Sequence, residues 1–423
     1  MSRSSTARWS TVVAAASLFA LSACGGNGFS SSQGGSTGGS TGEIRMLVNI
    51  TPNLTKQFWQ DLVKPFEASH PGVSVKIEAP ASSVKETLPQ LLAAGNAPDV
   101  VETLQADKTL APQMLDLTDQ PWVKDTPLAD EAKVDGKAYS VGVGVQAQSL
   151  VFYNKDAFAK AGITTPPKTL DELDAAMAKL KGAGYLPLQT AGGYVTGLQF
   201  LQLVDPSLFS ADPTWYADVA AKKTTPGTTF RPLLDRYEGW LKKGYLDKNA
   251  LGLDDATGPA NFFAGKSAMY VMGSWFVKNA EDAKPSFPVG VFAAPPASGQ
   301  PSPGPQGVSI AAPYMVLKAT QNRALSTELV KWLVTDKAAV QKQLRQDGNF
   351  RSGFSDGLSP LGTEVQSILD AAPAQVPHSE GFGASRVPKG FNTEWNKQVQ
   401  SLYTGGTAAD AAKGIDSWMA SQK

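Results

Sequence analysis

Cysteine is nearly absent: Cys24 is the only one in 423 residues. No intramolecular disulfide is therefore available to the chain. Histidine is almost as scarce, and neither His70 nor His378 has a close Cys or His companion, which argues against a transition-metal site and leaves both as surface or turn residues. An excess of charge of one sign is also missing. The 38 Lys and Arg balance the 38 Asp and Glu, and only 18% of residues are charged. No basic surplus points to nucleic acid and no acidic surplus to cationic partners, so the balance leans toward an uncharged ligand. Internal repeats of roughly 20–50 residues are lacking too, as is any transmembrane candidate beyond the N-terminal apolar stretch.

That stretch has the layout of a secretory signal. Arg3 and Arg8 precede an apolar run from Thr11 to Leu21, which is shorter than the ~20 residues that cross a bilayer. It ends in Leu21-Ser22-Ala23-Cys24, a segment that resembles the lipobox of bacterial lipoproteins. The resemblance implies lipidation of the Cys24 thiol and cleavage before it. Residues 25–42 (GGNGFSSSQGGSTGGSTG) are nearly all Gly, Ser and Thr and have almost nothing to bury. Such a tether spans about 23 Å root-mean-square. Signal, acylation site and tether in this order predict export and anchoring to the outer face of the bacterial cytoplasmic membrane.

From Glu43 onward about 380 residues remain, which suits two domains better than one core. Ile44–Val48 reads as a strand, and Phe58, Leu62 and Phe66 mark a helix that Pro65 should kink or shorten. Val73, Val75 and Ile77 alternate as a second strand, and Ser83 with Glu86 caps a helix that Gly95 ends. Pro98-Asp99-Val100-Val101 opens a third strand. The pattern recurs with a strand at Ser149–Tyr153, a helix capped by Thr169 and Glu172, and a strand at Leu186–Leu188. Further helices are expected near 229–243, 324–346, 361–371, 392–403 and 407–420. Alternating strands and helices give an α/β class with largely parallel sheets, and ligand crevices in such sheets lie beyond the carboxyl ends of the strands.

Residues 136–180 carry Phe152-Tyr153-Asn154-Lys155-Asp156, Ala161-Gly162-Ile163 and Pro167-Lys168-Thr169-Leu170-Asp171-Glu172-Leu173. This run resembles the extracellular solute-binding proteins of the maltose-binding group (family 1), with Leu170 in place of a commoner Trp. Val141-Gly142 stands where that group has Val-Pro, a departure that should loosen the chain there. Phe262-Phe263-Ala264-Gly265-Lys266-Ser267-Ala268-Met269 through Gly273-Ser274-Trp275 is similar to a second segment of the group, and the Pro-Gly-Val and Ala-Pro-Asp-Val stretches near the N-terminus are a weaker third. The resemblance implies a two-lobed periplasmic-binding-protein-like fold (type II), each lobe a mostly parallel sheet flanked by helices. It places residues 43–146 and 296–346 in the N-terminal lobe and 147–295 and 347–423 in the C-terminal lobe. Crossings between them are expected near 145–148, 293–296 and 346–350.

A sugar has apolar C–H faces and a belt of hydroxyls, so its site needs flat aromatics and paired polar groups. By the resemblance Trp275 stacks on the ligand, with Tyr194 and Trp395 as further aromatic candidates. A core position is the alternative for either Trp, and local packing in a loop for Tyr194. For hydroxyls the candidates are Gln105 and Asp107 beyond the third strand, Gln146 at the first crossing, Asn53 in the first loop and Arg351 after the third crossing. Two motifs mislead. Gly142-Val143-Gly144-Val145-Gln146-Ala147 fits a loose dinucleotide pattern, but a strand follows it where a helix is required. Gly265-Lys266-Ser267 lacks the first glycine of a phosphate loop, since Ala260 stands there.

The function implied is binding without chemistry: capture of a sugar or small oligosaccharide by a monomer, and delivery to permease subunits served by a separate ATPase. No cofactor, metal or nucleic acid is expected. A same-fold binder of a polyamine, peptide or phosphate ester is the alternative. An exported glycosidase is disfavoured because no catalytic carboxyl pair is recognisable.

Overall fold

The protein is described by a computed structural model covering residues 42–80, 83–301, 309–354, 356–371, 387–388 and 390–422. The signal segment, Cys24, the tether up to residue 41 and His378 lie outside the described residues. The chain runs β1 (Gly42–Leu47), α1 (Lys56–Ser69), β2 (Val73–Glu78), α2 (Val84–Ala93), β3 (Val100–Glu102), β4 (Gly144–Gln146), β5 (Leu150–Asn154), α3 (Lys155–Lys160), α4 (Leu170–Gly182), β6 (Leu186–Gln189), α5 (Val195–Ala211), α6 (Trp215–Ala220) and α7 (Pro226–Lys243). It continues through α8 (Thr257–Phe263), β7 (Ser267–Met272), α9 (Phe276–Ala283), β8 (Val289–Ala293), β9 (Ser309–Ala311), β10 (Tyr314–Val316), α10 (Arg323–Thr335), α11 (Lys337–Gln346), α12 (Pro360–Asp370), α13 (Phe391–Ser401) and α14 (Ala408–Ser421).

Local chemistry explains most boundaries. Thr55, Ser83 and Thr169 each accept a hydrogen bond from the amide three residues on, starting α1, α2 and α4. Pro65 neither breaks nor shortens α1, which runs on to Ser69. Pro65 is exposed and Asp61 half-exposed, so the carbonyl left without its amide partner can bond water. The expected helix at 324–346 is two helices. Asp336 leaves helical geometry at ψ 124° and its carboxylate accepts from the Ala339 amide at 2.9 Å, capping α11.

Two four-stranded sheets result. The first has the order β10-β3-β1-β2, with β1 parallel to β2 and β3 and only β10 antiparallel. The second has the order β6-β7-β5-β8 and is mixed: β6 and β7 are parallel, whereas β5 runs against both β7 and β8. The expected parallel character therefore holds only for the first sheet. The cause is the chain path. β5 enters the second sheet from the first, and β8 must run the other way to return. Ile44, Trp59, Phe66 and Leu329 belong to the core around the first sheet; Phe200, Phe230, Tyr237 and Trp395 belong to that of the second.

The segments linking the sheets lie side by side. β4 pairs with β9 along one edge, and on the other Val145 and Phe350 exchange amide hydrogen bonds of 2.7 and 3.0 Å. Gly142 tightens this region instead of loosening it. A β-carbon there would meet Ile310 Cγ2 at 1.9 Å, so only glycine lets Ile310 close against the strand. Carboxyl ends of β1, β3, β6, β7 and β8 all point toward these links, because Glu102 lies beside Tyr314 just after β9, and Met272 and Ala293 lie beside Leu150.

Gly142→Ala is expected to cost about 1–3 kcal/mol through overpacking. Thermal unfolding measures this, and a melting temperature within about 1 °C of wild type would contradict it.

Candidate functional site

Three of the predicted polar residues are built into the ends of β1, β3 and β4, and two of them meet at one carboxylate. Asn53, in the loop after β1, donates from Nδ2 to Asp347 Oδ1 at 3.2 Å and to the Trp275 carbonyl at 3.4 Å. Its Oδ1 accepts from Asn279 Nδ2 at 3.1 Å, and its carbonyl accepts from Gln346 Nε2 at 2.5 Å. Gln146, at the end of β4, donates to Asp347 Oδ2 at 3.2 Å, as does Asn349 at 3.3 Å. Gln105 is half-buried in the loop after β3.

The donors around Asp347 are neutral amides. Burial pushes its carboxyl up to about 6, while Asn53, Asn349 and Gln146 hold it down. Nearby Glu102 ends β3 and is 1% exposed, with the Asn49 amide donating to it at 3.1 Å. Burial pushes Glu102 up to about 8, the Asn49 amide opposes this, and the Asp347 charge adds to it. Glu102 is thus mostly protonated at neutral pH. Asp347, pushed only to about 6, stays mostly ionised, so the node keeps one carboxylate charge ringed by neutral amides. Sequence reasoning missed Glu102, Asp347, Asn349 and Asn279. The only signals were a carboxylate ending a fully buried strand, Val100-Val101-Glu102, and an acidic residue inside the third predicted crossing.

Trp275 follows β7 and is half-buried at the start of α9. Its ring folds back over Gly273, where a β-carbon would lie 2.1 Å from the indole. Gly273 is thus what permits this ring position. Tyr194 follows β6, and its side chain is 59% exposed. Its loop is held firmly. Asn396 Nδ2 and Gln400 Nε2 both donate to the Gly193 carbonyl, at 2.7 and 2.6 Å, and the Gly192 amide donates to the Leu253 carbonyl. β6 and β7 are neighbours in parallel, so both aromatic loops leave the same end of the second sheet.

Like the buried Asn53 amide, Trp395, Arg351 and one oxygen of Asp107 are committed within the protein. Trp395 is 0% exposed and packs between Phe200 and Phe230, with ring centroids 5.2 and 4.5 Å away. It is a core residue because α13 turns its apolar face onto α5. Asp107 Oδ1 accepts from the Thr109 and Leu110 amides at 2.8 Å each, closing its own turn. Arg351 donates to the carbonyls of Val143, Val334 and Asp125, which consumes its guanidinium in fastening the third link. His70, set aside from the sequence, stacks on Phe66 at the protein surface.

The raised carboxyls make stability depend on pH. The folded state keeps a proton on Glu102 that the unfolded chain releases above its ordinary range, so this contribution is present at low pH and is lost as pH rises to about 8. Melting temperature is therefore expected to fall between about pH 6 and pH 8, and Glu102→Gln to flatten that fall. Parallel wild-type and variant profiles in scanning fluorimetry would refute the assignment.

The geometry can be set beside known proteins. Residues 51–340 match the family model described as bacterial extracellular solute-binding protein. A binding protein of Brucella abortus is 26% identical over 273 residues, which cover 60% of this chain and 63% of that protein, so the match spans under two thirds of the relative's length. The diacetylchitobiose-binding protein DasA of Streptomyces coelicolor is 25% identical, with 94% of each chain covered. The multiple sugar-binding protein of Streptococcus mutans is 24% identical over 68% of this chain and 70% of its own length. Among solved structures, a chitin oligosaccharide binding protein superposes with a TM-score of 0.77 at 22% identity, covering 90% of this chain and 98% of that one. A raffinose complex of RafE gives 0.73 at 19% identity, covering 90% and 99%. Likeness at this level of identity establishes the fold, and the family model covers well over half of the sequence. The chain belongs to the bacterial extracellular solute-binding protein family.

Proposed function

We propose that this protein captures a sugar or small oligosaccharide between two lobes and delivers it to the permease subunits of an ABC importer. The carrying observation is the pairing of aromatics with a polar node rich in neutral amides. Trp275 and Tyr194 leave the same end of the second sheet, and beside Trp275 lie the amides of Asn53, Gln146 and Asn349. Aromatic faces suit pyranose C–H surfaces, and amides suit hydroxyls. Relatives named for diacetylchitobiose and multiple sugars support the same class.

In this reading the lobes are 43–146 with 296–346, and 147–295 with 347–423, hinged at the three adjacent links. Cys24 carries a lipid, and the tether holds a monomeric body near the outer membrane face. The only chemistry is binding. Glu102 is too deeply enclosed to protonate a glycosidic oxygen.

A relative from Shigella flexneri is named for sn-glycerol-3-phosphate, which makes a phosphate ester the second reading. The node argues against it. Its donors to Asp347 are amides, and Arg351 is committed to three carbonyls. A dianion there would face Asp347 with no cation to offset it. A polyamine fares little better, because Asp347, the one ionised carboxylate, already accepts from three amides.

Titration calorimetry against diacetylchitobiose, cellobiose, mannobiose, raffinose, stachyose and glycerol 3-phosphate tests the proposal. Binding of at least one saccharide is expected, with Trp275→Ala weakening it at least about tenfold. Binding of glycerol 3-phosphate alone, or of none of the six, would reject the sugar reading.

A further inference from the structure

Asn53 stands in a turn with little freedom of its own. Thr51 Oγ1 accepts from the Leu54 amide at 2.9 Å, and the Thr51 amide donates to the Leu54 carbonyl at 3.2 Å. Leu54 in turn belongs to the core of the first sheet. Across from it, α9 is fixed to the second sheet. Phe276 stacks on Tyr270 of β7 with ring centroids 4.8 Å apart, and Val277 and Ala280 pack in the same cluster. The Asn53 side chain bridges these two firm supports.

Its hydrogen bonding is nearly complete. An asparagine side chain has two N–H donors and an oxygen with two lone pairs. Here Nδ2 donates to Asp347 and to the Trp275 carbonyl, and Oδ1 accepts from Asn279 Nδ2. Asn53 is also only 6% exposed. Its amide therefore serves protein-to-protein contact. The third link is pressed into the same place. Gly348 has a φ of 54°, and a β-carbon there would lie 2.4 Å from the Ser274 carbonyl oxygen. Only glycine lets that link run so close to the start of α9. A shift of a few Å between the loop after β1 and α9 would break both bonds that Asn53 makes to α9 and its first residue, since hydrogen bonds fail beyond about 3.5 Å.

We propose that Asn53 and Asn279 form a latch that draws the two sheets together without a solute, and that Asn279 is a positioning residue for capture. The latch stands on these bonds alone; its effect on capture rests on the sugar reading above. Asn279 acts through Asn53 and needs no contact with the solute. Its bond sets part of the equilibrium between approached and separated sheets. A solute that needs the approached arrangement gains by whatever fraction already occupies it. One neutral hydrogen bond shifts such an equilibrium about 2–10-fold. The polarity of the bond is decisive. Because Asn53 Nδ2 is committed to Asp347 and Trp275, its oxygen must face α9, and only a donor at position 279 satisfies it. Asn279→Asp keeps the side-chain shape but sets a carboxylate oxygen against the Asn53 oxygen.

Small-angle X-ray scattering of the sugar-free wild type, Asn279→Ala and Asn279→Asp tests the latch, with melting temperature as the control for folding. Both variants are expected to melt within about 3 °C of wild type, since each loses one half-buried bond. Both should show a larger radius of gyration than wild type, Asn279→Asp at least as large as Asn279→Ala. The saccharide that binds wild type most tightly should bind each variant about 2–10-fold more weakly, and saturation with it should return their radii to the wild-type value. A merely structural contact would lower the melting temperature and leave the radius unchanged, and that result overturns the latch. A larger radius with wild-type saccharide affinity overturns the positioning role and keeps the latch. Failure of wild type to bind any saccharide removes the sugar reading, while the scattering comparison still decides the latch.

Discussion

Val145 sits at the centre of the molecule's mechanical problem. Its amide and carbonyl are bonded to Phe350, and its strand is bonded to β9, so all three links between the sheets share one small sheet-like patch. Separate loops could flex independently. Links bonded to one another must twist together, which restricts the relative motion of the two sheets to bending about that patch. The same pairing locates the chemistry. Gln146 is next to Val145, and Asp347 lies three residues before Phe350, so fastening the links also brings an amide and a carboxylate together.

Periodicity and capping made the elements of the first sheet legible, because alternating Val73, Val75 and Ile77 and the capped helices are local signals. The direction of strands in the second sheet was not legible. It depends on where the chain must exit, and nothing local to Val289–Ala293 encodes that it returns beside β5. Asp336 illustrates an intermediate case: its cap was present in the sequence, but the apolar period on both sides read through it. In the site, Trp275 and Gln146 came from resemblance, whereas Trp395 misled because an aromatic on an amphipathic helix has the same pattern whether it lines a gap or a core. Asp107 and Arg351 misled for another reason. Backbone groups engage the Arg351 guanidinium and Asp107 Oδ1, and sequence does not reveal that a side chain's hydrogen bonds are already committed.

Electrostatics narrows the ligand more than shape does. An exposed carboxylate would remain ionised and attract cations, but Glu102 is enclosed and Asp347 is ringed by amides. Burying these groups costs stability at neutral pH, which a purely structural core would avoid by using apolar residues. Under the proposed function the return is specificity: a floor of amides would donate to and accept from hydroxyls while giving phosphate no counter-charge.

Under the proposed function, closure would follow from how the contacts divide. Asn53 links the first sheet to the Trp275 carbonyl and Asn279, and these bonds connect protein to protein. They set how easily the two sheets approach, whatever solute is present. A ligand shifts that balance only by contacts it makes better in the approached arrangement than in the separated one. Under the proposed function, groups confined to one sheet, such as Tyr194 and the Trp275 ring, would hold a sugar equally well in both and so would supply affinity without driving motion. Groups from the first sheet that meet the same sugar supply the difference. Under that reading, discrimination among solutes and commitment to closure would fall on the same few atoms of the loop after β1, where Asn49 is tied to Glu102 and Asn53 to Asp347.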